Sequence, residues 1–173
     1  MIELEKTYLA KELPKDLENC RFKEIIDIYI PKNSEHPSLR LRKNGNKFEM
    51  TRKEPVTDGD ASQQKEHTIP LTEKEFEALN KIEGKRVRKM RHFYDCDGAT
   101  AEFDVFQDDL EGLVVVDFEF ENTKEKDDFE MPDFCLSDVT QENFIAGGMI
   151  CGKCYSDIES DLEKFDYKKL FLK

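Results

Sequence analysis

The 173-residue sequence predicts an α+β domain in which seven or eight mostly antiparallel strands close into a barrel with a polar interior, flanked by two or three helices. Three observations predict it. First, like charges recur two residues apart with apolar residues between them: Glu3 and Glu5 around Leu4, Arg40 and Arg42 around Leu41, Glu102 and Asp104 around Phe103, and Asp117, Glu119 and Glu121 alternating with Phe118 and Phe120. Side chains two apart on a strand share a face, so each stretch has one charged face and one apolar face. Second, Asn44-Gly45 and Asp97-Gly98 are the pairs that tight hairpin turns demand, which makes their flanking strands antiparallel. Third, capping boxes are sparse: Thr72 with Glu75, and Ser156 with Glu159.

The elements follow in order. Residues 2–9 form the first strand. The polar stretch after Pro14 fits a short helix or coil. The β-branched run 25–30 is a strand. Residues 38–43 and 47–53 are the arms of the Asn44-Gly45 hairpin; Phe48 and Met50 share one face of the second arm. Residues 55–64, with Asp58-Gly59-Asp60, form an exposed loop, and 66–71 a short strand. Thr72 opens a helix with Phe76, Leu79 and Ile82 as its apolar stripe and Gly84 as its stop. Residues 86–94 are a basic strand, turned by Asp97-Gly98 into the strand 100–106; a turn over 108–112 leads into 113–121. A short helix fits within 124–133. After Gly147-Gly148, Ser156 opens a terminal helix with Ile158, Leu162 and Phe165 on one side.

Composition narrows the function. Hydrophobic residues make up 38%, and no apolar run approaches the roughly 20 residues of a spanning helix. The formal net charge is -12, which disfavours nucleic acid and anionic membranes as partners. A small anionic substrate therefore needs a local basic pocket. The N-terminus has no signal-peptide pattern, and the five cysteines follow no disulfide framework, so the expectation is reduced thiols in a cytoplasmic protein. Cys151 and Cys154 form a lone pair with no second pair to complete a structural zinc site.

Strands that are all acid or all base suit a site that holds a polyanion with arginine and lysine, and divalent cations with carboxylates. Ordinary solvated strands mix signs, because like charges side by side cost energy. Parity assigns Arg52, Arg86 and Arg88 to the opposite, solvated face. His67 and His92 are expected at the surface, and Phe103, Val105, Phe118 and Phe120 in the core.

The order of these motifs resembles the CYTH family of triphosphate tunnel metalloenzymes. That family's opening Glu-x-Glu-x-Lys is matched by Glu3-Leu4-Glu5-Lys6-Thr7, its Arg-x-Arg by Arg40-Leu41-Arg42, and its Thr-x-Lys by Thr51-Arg52-Lys53. Its Glu-x-Glu resembles Glu66-His67-Thr68 and its Lys-x-Arg matches Lys89-Met90-Arg91. Asp104-Val105-Phe106 with Gly112-Leu113, then Asp117-Phe118-Glu119-Phe120, then Asp138-Val139-Thr140 complete the series. The resemblance implies a single domain over residues 1–173 built as a closed eight-stranded tunnel. It implies hydrolysis of inorganic triphosphate or nucleoside triphosphates with Mg²⁺ or Mn²⁺. The alternatives it leaves are a class IV adenylate cyclase or a weakly catalytic polyphosphate-binding module. It implies Glu3, Glu5, Asp104, Asp117 and Glu119 as metal ligands, with Glu5 and Glu119 also catalytic. Arg40, Arg42, Lys53, Lys89, Arg91 and Lys153 become the phosphate binders. The expected partner is a small triphosphate, with a monomer or a homodimer equally consistent. Two positions depart from the pattern: Thr7 stands where the family has lysine, and Thr68 where it has a second glutamate. Lys6 points to the other face and does not replace the missing lysine.

Overall fold

Nine strands and four α-helices form within the described residues, 2–57, 59–96 and 98–172, of the computed structural model. The strands are β1 (Ile2–Ala10), β2 (Phe22–Ile30), β3 (Leu39–Asn44), β4 (Lys47–Pro55), β5 (Gln63–Leu71), β6 (Lys85–Cys96), β7 (Ala99–Phe106), β8 (Val114–Phe120) and β9 (Cys135–Asp138). The helices are α1 (Glu73–Leu79), α2 (Thr123–Asp128), α3 (Gly147–Ile150) and α4 (Tyr155–Glu163). The sheet runs β5-β4-β3-β2-β6-β7-β8-β1-β9, and β5 also pairs with β1. Strands β1 to β8 therefore close into a barrel, all antiparallel, as the hairpin signals require.

Closure rests on a division of labour along one edge of β1. Ile2, Glu3 and Leu4 pair with Lys65, Gln64 and Gln63 of β5. Glu5 N–H donates to Ser62 O at 3.1 Å, and Tyr8 to Ala10 pair with β9. Strand β9 is an addition to the expected tally. It covers the part of β1 that the staggered β5 does not reach.

Register puts the charged side chains on one face. Arg42 faces Asp27, Arg91 faces Asp104, and Glu5 faces Glu119 across neighbouring strands. The opposite parity packs outside. Phe103, Val105, Val116 and Phe118 sit under the segments carrying Leu17, Phe129 and Phe134. Helix α1 lays Phe76 over Ile28 and Leu41. Each such side chain contributes about 1.5–3 kcal/mol on burial. At one end the inward row itself turns apolar: Leu9, Val87, Phe106 and Val115 join Val139, Ile145, Ile150, Ile158 and Leu162 in the largest cluster. Tyr167 fastens the C-terminal segment there, accepting from Val114 N at 2.7 Å and donating to Gly112 O at 2.9 Å.

Several local expectations shift. The Thr72–Glu75 capping box forms, but α1 ends at Leu79 with Asn80 as its cap, so Gly84 is not the helix stop. Gly84 instead allows close approach: a Cβ there would lie 2.6 Å from Ile28 Cγ2 and 2.8 Å from Tyr29 O. Helix α4 is capped two residues early, by Cys154 and Asp157 rather than Ser156 and Glu159. His92 is buried, 4% exposed, with Nδ1 3.1 Å from Leu17 O, and is not a surface group. Gly98 has φ of 88°, as a hairpin turn asks; Asp97, its expected partner, and Asp58 lie outside the described residues. No helix of the described residues is long and apolar enough to cross a membrane. None of the five cysteines is in a disulfide.

One charged pair is as structural as the apolar core. Asp27 on β2 is 2% exposed, and its two oxygens accept from Arg42 Nε and Nη2 of β3 at 2.6 and 2.7 Å. Burial alone would raise the Asp27 pKa, but the Arg42 charge and its hydrogen bonds outweigh that and hold it well below the usual carboxylate value. A group with a depressed folded pKa contributes stability that is complete above its unfolded value and is lost on acidification.

Two outcomes follow for stability. Gly84→Ala should cost about 1–3 kcal/mol, because neither Tyr29 O nor Ile28 can retreat without moving β2; chemical denaturation measures this. Unfolding free energy should fall as pH drops below about 4. Asp27→Asn should remove part of that slope and cost about 3–5 kcal/mol at pH 7 by leaving Arg42 unpaired.

Candidate active site

The barrel encloses a cavity of about 880 Å³. Glu3, Glu5, Arg40, Arg42, Lys53, Lys89, Arg91, Asp104, Asp117 and Glu119 all line it, as their parity predicts. Lys153 does not. It sits in a separate groove on the outside with Arg86, Arg88 and Asp108, because the C-terminal segment leaves the barrel before reaching it. Arg88 is likewise outside, held by Asp108 at 2.7 Å and Glu24 at 3.4 Å.

The interior charges are sorted by strand. The neighbouring strands β7, β8 and β1 supply Glu102, Asp104, Asp117, Glu119, Glu5 and Glu3. The arc β4, β3, β2, β6 supplies Lys53, Arg40, Arg42, Lys89 and Arg91, with Asp27 and Glu49 embedded among them. At the junction of the two walls Arg91 donates to Asp104 through Nε and Nη2, each at 2.7 Å, to Asp117 at 3.0 Å, and to Glu102. Lys89 is bonded to Asp104 as well. At the other junction Lys53 is bonded to Glu3 and lies 3.7 Å from both Glu5 and Glu66.

The electrostatics record which wall is crowded. Burial, reinforced by Glu119, Asp117 and Asp104 against the opposing pull of Arg91, pushes Glu102 up to about 7. Burial and the nearby Asp104 and Glu5 carry Asp117 to about 6 despite Arg91. Asp104 is the exception: burial would raise it, but Arg91 and Lys89 together bring it down to about 2. Burial lowers Lys89, with Asp104 only partly compensating.

Thr7, in the place of the family lysine, donates its hydroxyl to Asp117 Oδ1 at 2.8 Å, while its backbone N–H donates to Thr140 Oγ1 at 3.0 Å. The position thus supplies a neutral donor to a carboxylate that the field makes hard to ionise. Thr68 is engaged similarly: Oγ1 donates to Glu66 at 2.6 Å and lies 3.0 Å from Thr51 Oγ1. Asp27 and Tyr29 also line the cavity and were not among the expected site residues. Both lie inside the apolar run of β2, where a lone acid and a lone tyrosine give no repeated pattern; only their shared parity with the register of Arg42 and Arg40 could reveal them.

The carboxylates fit a hard divalent cation by chemistry, being oxygen donors on three adjacent strands. Burial first and neighbouring carboxylates second raise Glu102 and Asp117, and a cation beside them would favour their ionised forms. Among the described residues, though, no three acid, histidine or cysteine side chains already converge on one point. Arg91 and Lys53 occupy the space between them.

Comparison with known proteins agrees with this geometry. The CYTH domain family profile matches residues 2–133. An inorganic triphosphatase of Nitrosomonas europaea is 30% identical over 144 residues, covering 82% of this chain and 91% of that protein. A crystal structure of an inorganic triphosphatase superposes with a TM-score of 0.62 at 25% identity, over 87% of this chain and 95% of that one. A putative adenylate cyclase from Bacillus halodurans shares the fold, with a TM-score of 0.51 at 14% identity over 99% of this chain and 93% of its own. The ordered charge motifs, the closed barrel that turns them inward and the match across most of its length make this chain a member of the CYTH domain family.

Proposed function

We propose that the chain is a metal-dependent triphosphatase that hydrolyses inorganic triphosphate, with nucleoside triphosphates as a second substrate class, inside this barrel. The observation that carries the reading is the sorting of one enclosed interior into a basic wall and an acidic wall. The relative from Nitrosomonas europaea supports it by name. Residues 1–173 are read as one domain, because helix α4 and Tyr167 share the core of the barrel. Cysteines without disulfides suit a cytoplasmic protein.

The basic wall binds the substrate. Arginine forks match phosphate oxygens bidentately, so Arg40, Arg42 and Arg91 hold the chain in register, with Lys53 and Lys89 as point charges. Arg42 and Arg91 already hold carboxylates in that geometry, so binding exchanges one set of oxygens for another within a wall that is already organised. Glu3, Glu5, Asp104, Asp117 and Glu119 would hold Mg²⁺ or Mn²⁺, which when bound supplies neutralisation of the phosphate charge. Glu119 makes no salt bridge among the described residues and stands at the exposed rim. Glu5 lies opposite it in register, which supports the reading that the two orient a water and accept its proton.

Activity should vanish in excess chelator and return with Mg²⁺ or Mn²⁺. Glu119→Gln and Glu5→Gln should each lower turnover by about 10²-fold or more with little change in unfolding temperature. Separate assays of phosphate, pyrophosphate and cyclic AMP test the reaction itself; cyclic AMP as the main product from ATP would make the chain a cyclase. Arg40→Ala should weaken triphosphate binding by about 10-fold or more, and Arg86→Ala, on the outer face, by less than about twofold. Equal losses in a titration at fixed salt would show only diffuse attraction.

A further inference from the structure

One stretch of the barrel wall is held by loops rather than by a strand. On the edge away from β8, β1 pairs with β5 as far as Leu4 and with β9 from Tyr8 onward. Between them, Glu5 N–H donates to Ser62 O at 3.1 Å, Thr7 N–H donates to Thr140 Oγ1 at 3.0 Å, and Val139 N–H donates to Thr7 O at 2.9 Å. Glu5 and Thr7 line the cavity from this stretch, and Asp60, Ala61, Thr140 and Gln141 of the two loops line it beside them. The place of Glu5 therefore depends on what fixes the loops.

Two side chains fix them. Gln141 ties one loop to the other: its Oε1 accepts from Ala61 N–H at 2.9 Å, and its Nε2 donates to Asp60 Oδ1 at 3.1 Å. Lys126 of α2 holds the first loop from behind, donating to Ser62 Oγ at 2.6 Å. Ser62 Oγ in turn donates to Asp60 Oδ1 at 2.7 Å, and Ser62 N–H donates to the same oxygen at 2.9 Å. The Ser62 bonds first, then Gln141 and the Lys126 charge, bring Asp60 down to about 2, so ammonium, hydroxyl and carboxylate form one charged chain.

Packing does not explain the lysine. Lys126 is 6% exposed, its ammonium has Ser62 Oγ as its one hydrogen-bond partner among the described residues, and the Asp127 carboxylate lies 4.0 Å away. A methionine would fill the same space without desolvating a charge. What the charge does supply is a hold on Ser62, whose carbonyl holds Glu5.

We propose that Lys126 and Gln141 are positioning residues for Glu5. Lys126 clamps Ser62, Gln141 joins that clamp to the opposite loop, and the Ser62 carbonyl fixes the backbone from which Glu5 enters the cavity. Lys126 lies outside the cavity and acts only through Ser62. The assignment rests on the triphosphatase reading, in which Glu5 holds the cation and orients the water.

The test is amide hydrogen exchange of the whole chain followed by NMR, together with steady-state kinetics on sodium tripolyphosphate with Mg²⁺. Lys126→Met and Gln141→Ala should each raise exchange at the Glu5 amide by about 10-fold or more, with the amides of β2 and β3 at wild-type rates. In both variants kcat should fall by about 10-fold and KM should change by less than about threefold, because the basic wall is untouched. Lys126→Met should keep its unfolding temperature, since an apolar side chain replaces a buried charge. Lys124→Met, exposed on the same helix, should change nothing. Wild-type exchange at Glu5 in both variants overturns the clamp, and so does raised exchange with wild-type kcat. A loss of kcat with faster exchange throughout the barrel makes Lys126 a packing residue and overturns the assignment too. A wild-type protein that does not hydrolyse tripolyphosphate overturns the triphosphatase reading as well, and that result is read before any variant is compared.

Discussion

The structure depends on one constraint: charges turned into a barrel must find opposite charges there. A strand such as β3 or β8 carries like charges two residues apart and would repel itself on an ordinary sheet face. The barrel resolves this by bringing basic strands against acidic ones. Arg91 shows how tightly the solution is built, since a single guanidinium serves Asp104, Glu102 and Asp117 on two successive strands. Asp27 and Arg42 do the same between β2 and β3. Removing one partner leaves the other buried and uncompensated, which costs more than the pair itself gains.

The same arrangement prepares the site for its ligand. A triphosphate brings negative charge to the basic wall, and a divalent cation brings positive charge to the acidic wall. Together they can replace the ion pairs that now bridge the walls. Burial, aided by neighbouring carboxylates, raises the proton affinity of Glu102 and Asp117, and a cation bound beside them would lower it. With a net charge of -12 over the chain, the interior cations are what allow a polyanion to be held at all.

Much of this was legible in the sequence, for a simple reason. A strand has a period of two, so residues that must share a face announce themselves by spacing, and Glu3, Glu5, Arg40, Arg42, Lys53, Lys89, Arg91, Asp104, Asp117 and Glu119 all came to the cavity that way. Turn and cap chemistry served equally well at Gly45 and Thr72. What was hidden has no period. Asp27 and Tyr29 are single polar groups in a β-branched run, and their role comes from register with β3. Strand β9 is four residues long and exists because β5 is staggered. Gly84 looked like a helix stop and is a packing contact. Lys153 follows a turn whose direction no local signal gives, and it lands outside. His92 has outward parity, but that face is covered by the turn carrying Leu17.

A crystal structure of the chain with tripolyphosphate and a divalent cation tests the central claim most directly. The account predicts phosphate oxygens within hydrogen-bond distance of Arg40, Arg42 and Arg91, with the cation on carboxylates of β1 and β8. Density for the anion in the outer groove of Arg86, Arg88 and Lys153, with the interior ion pairs intact, would contradict it.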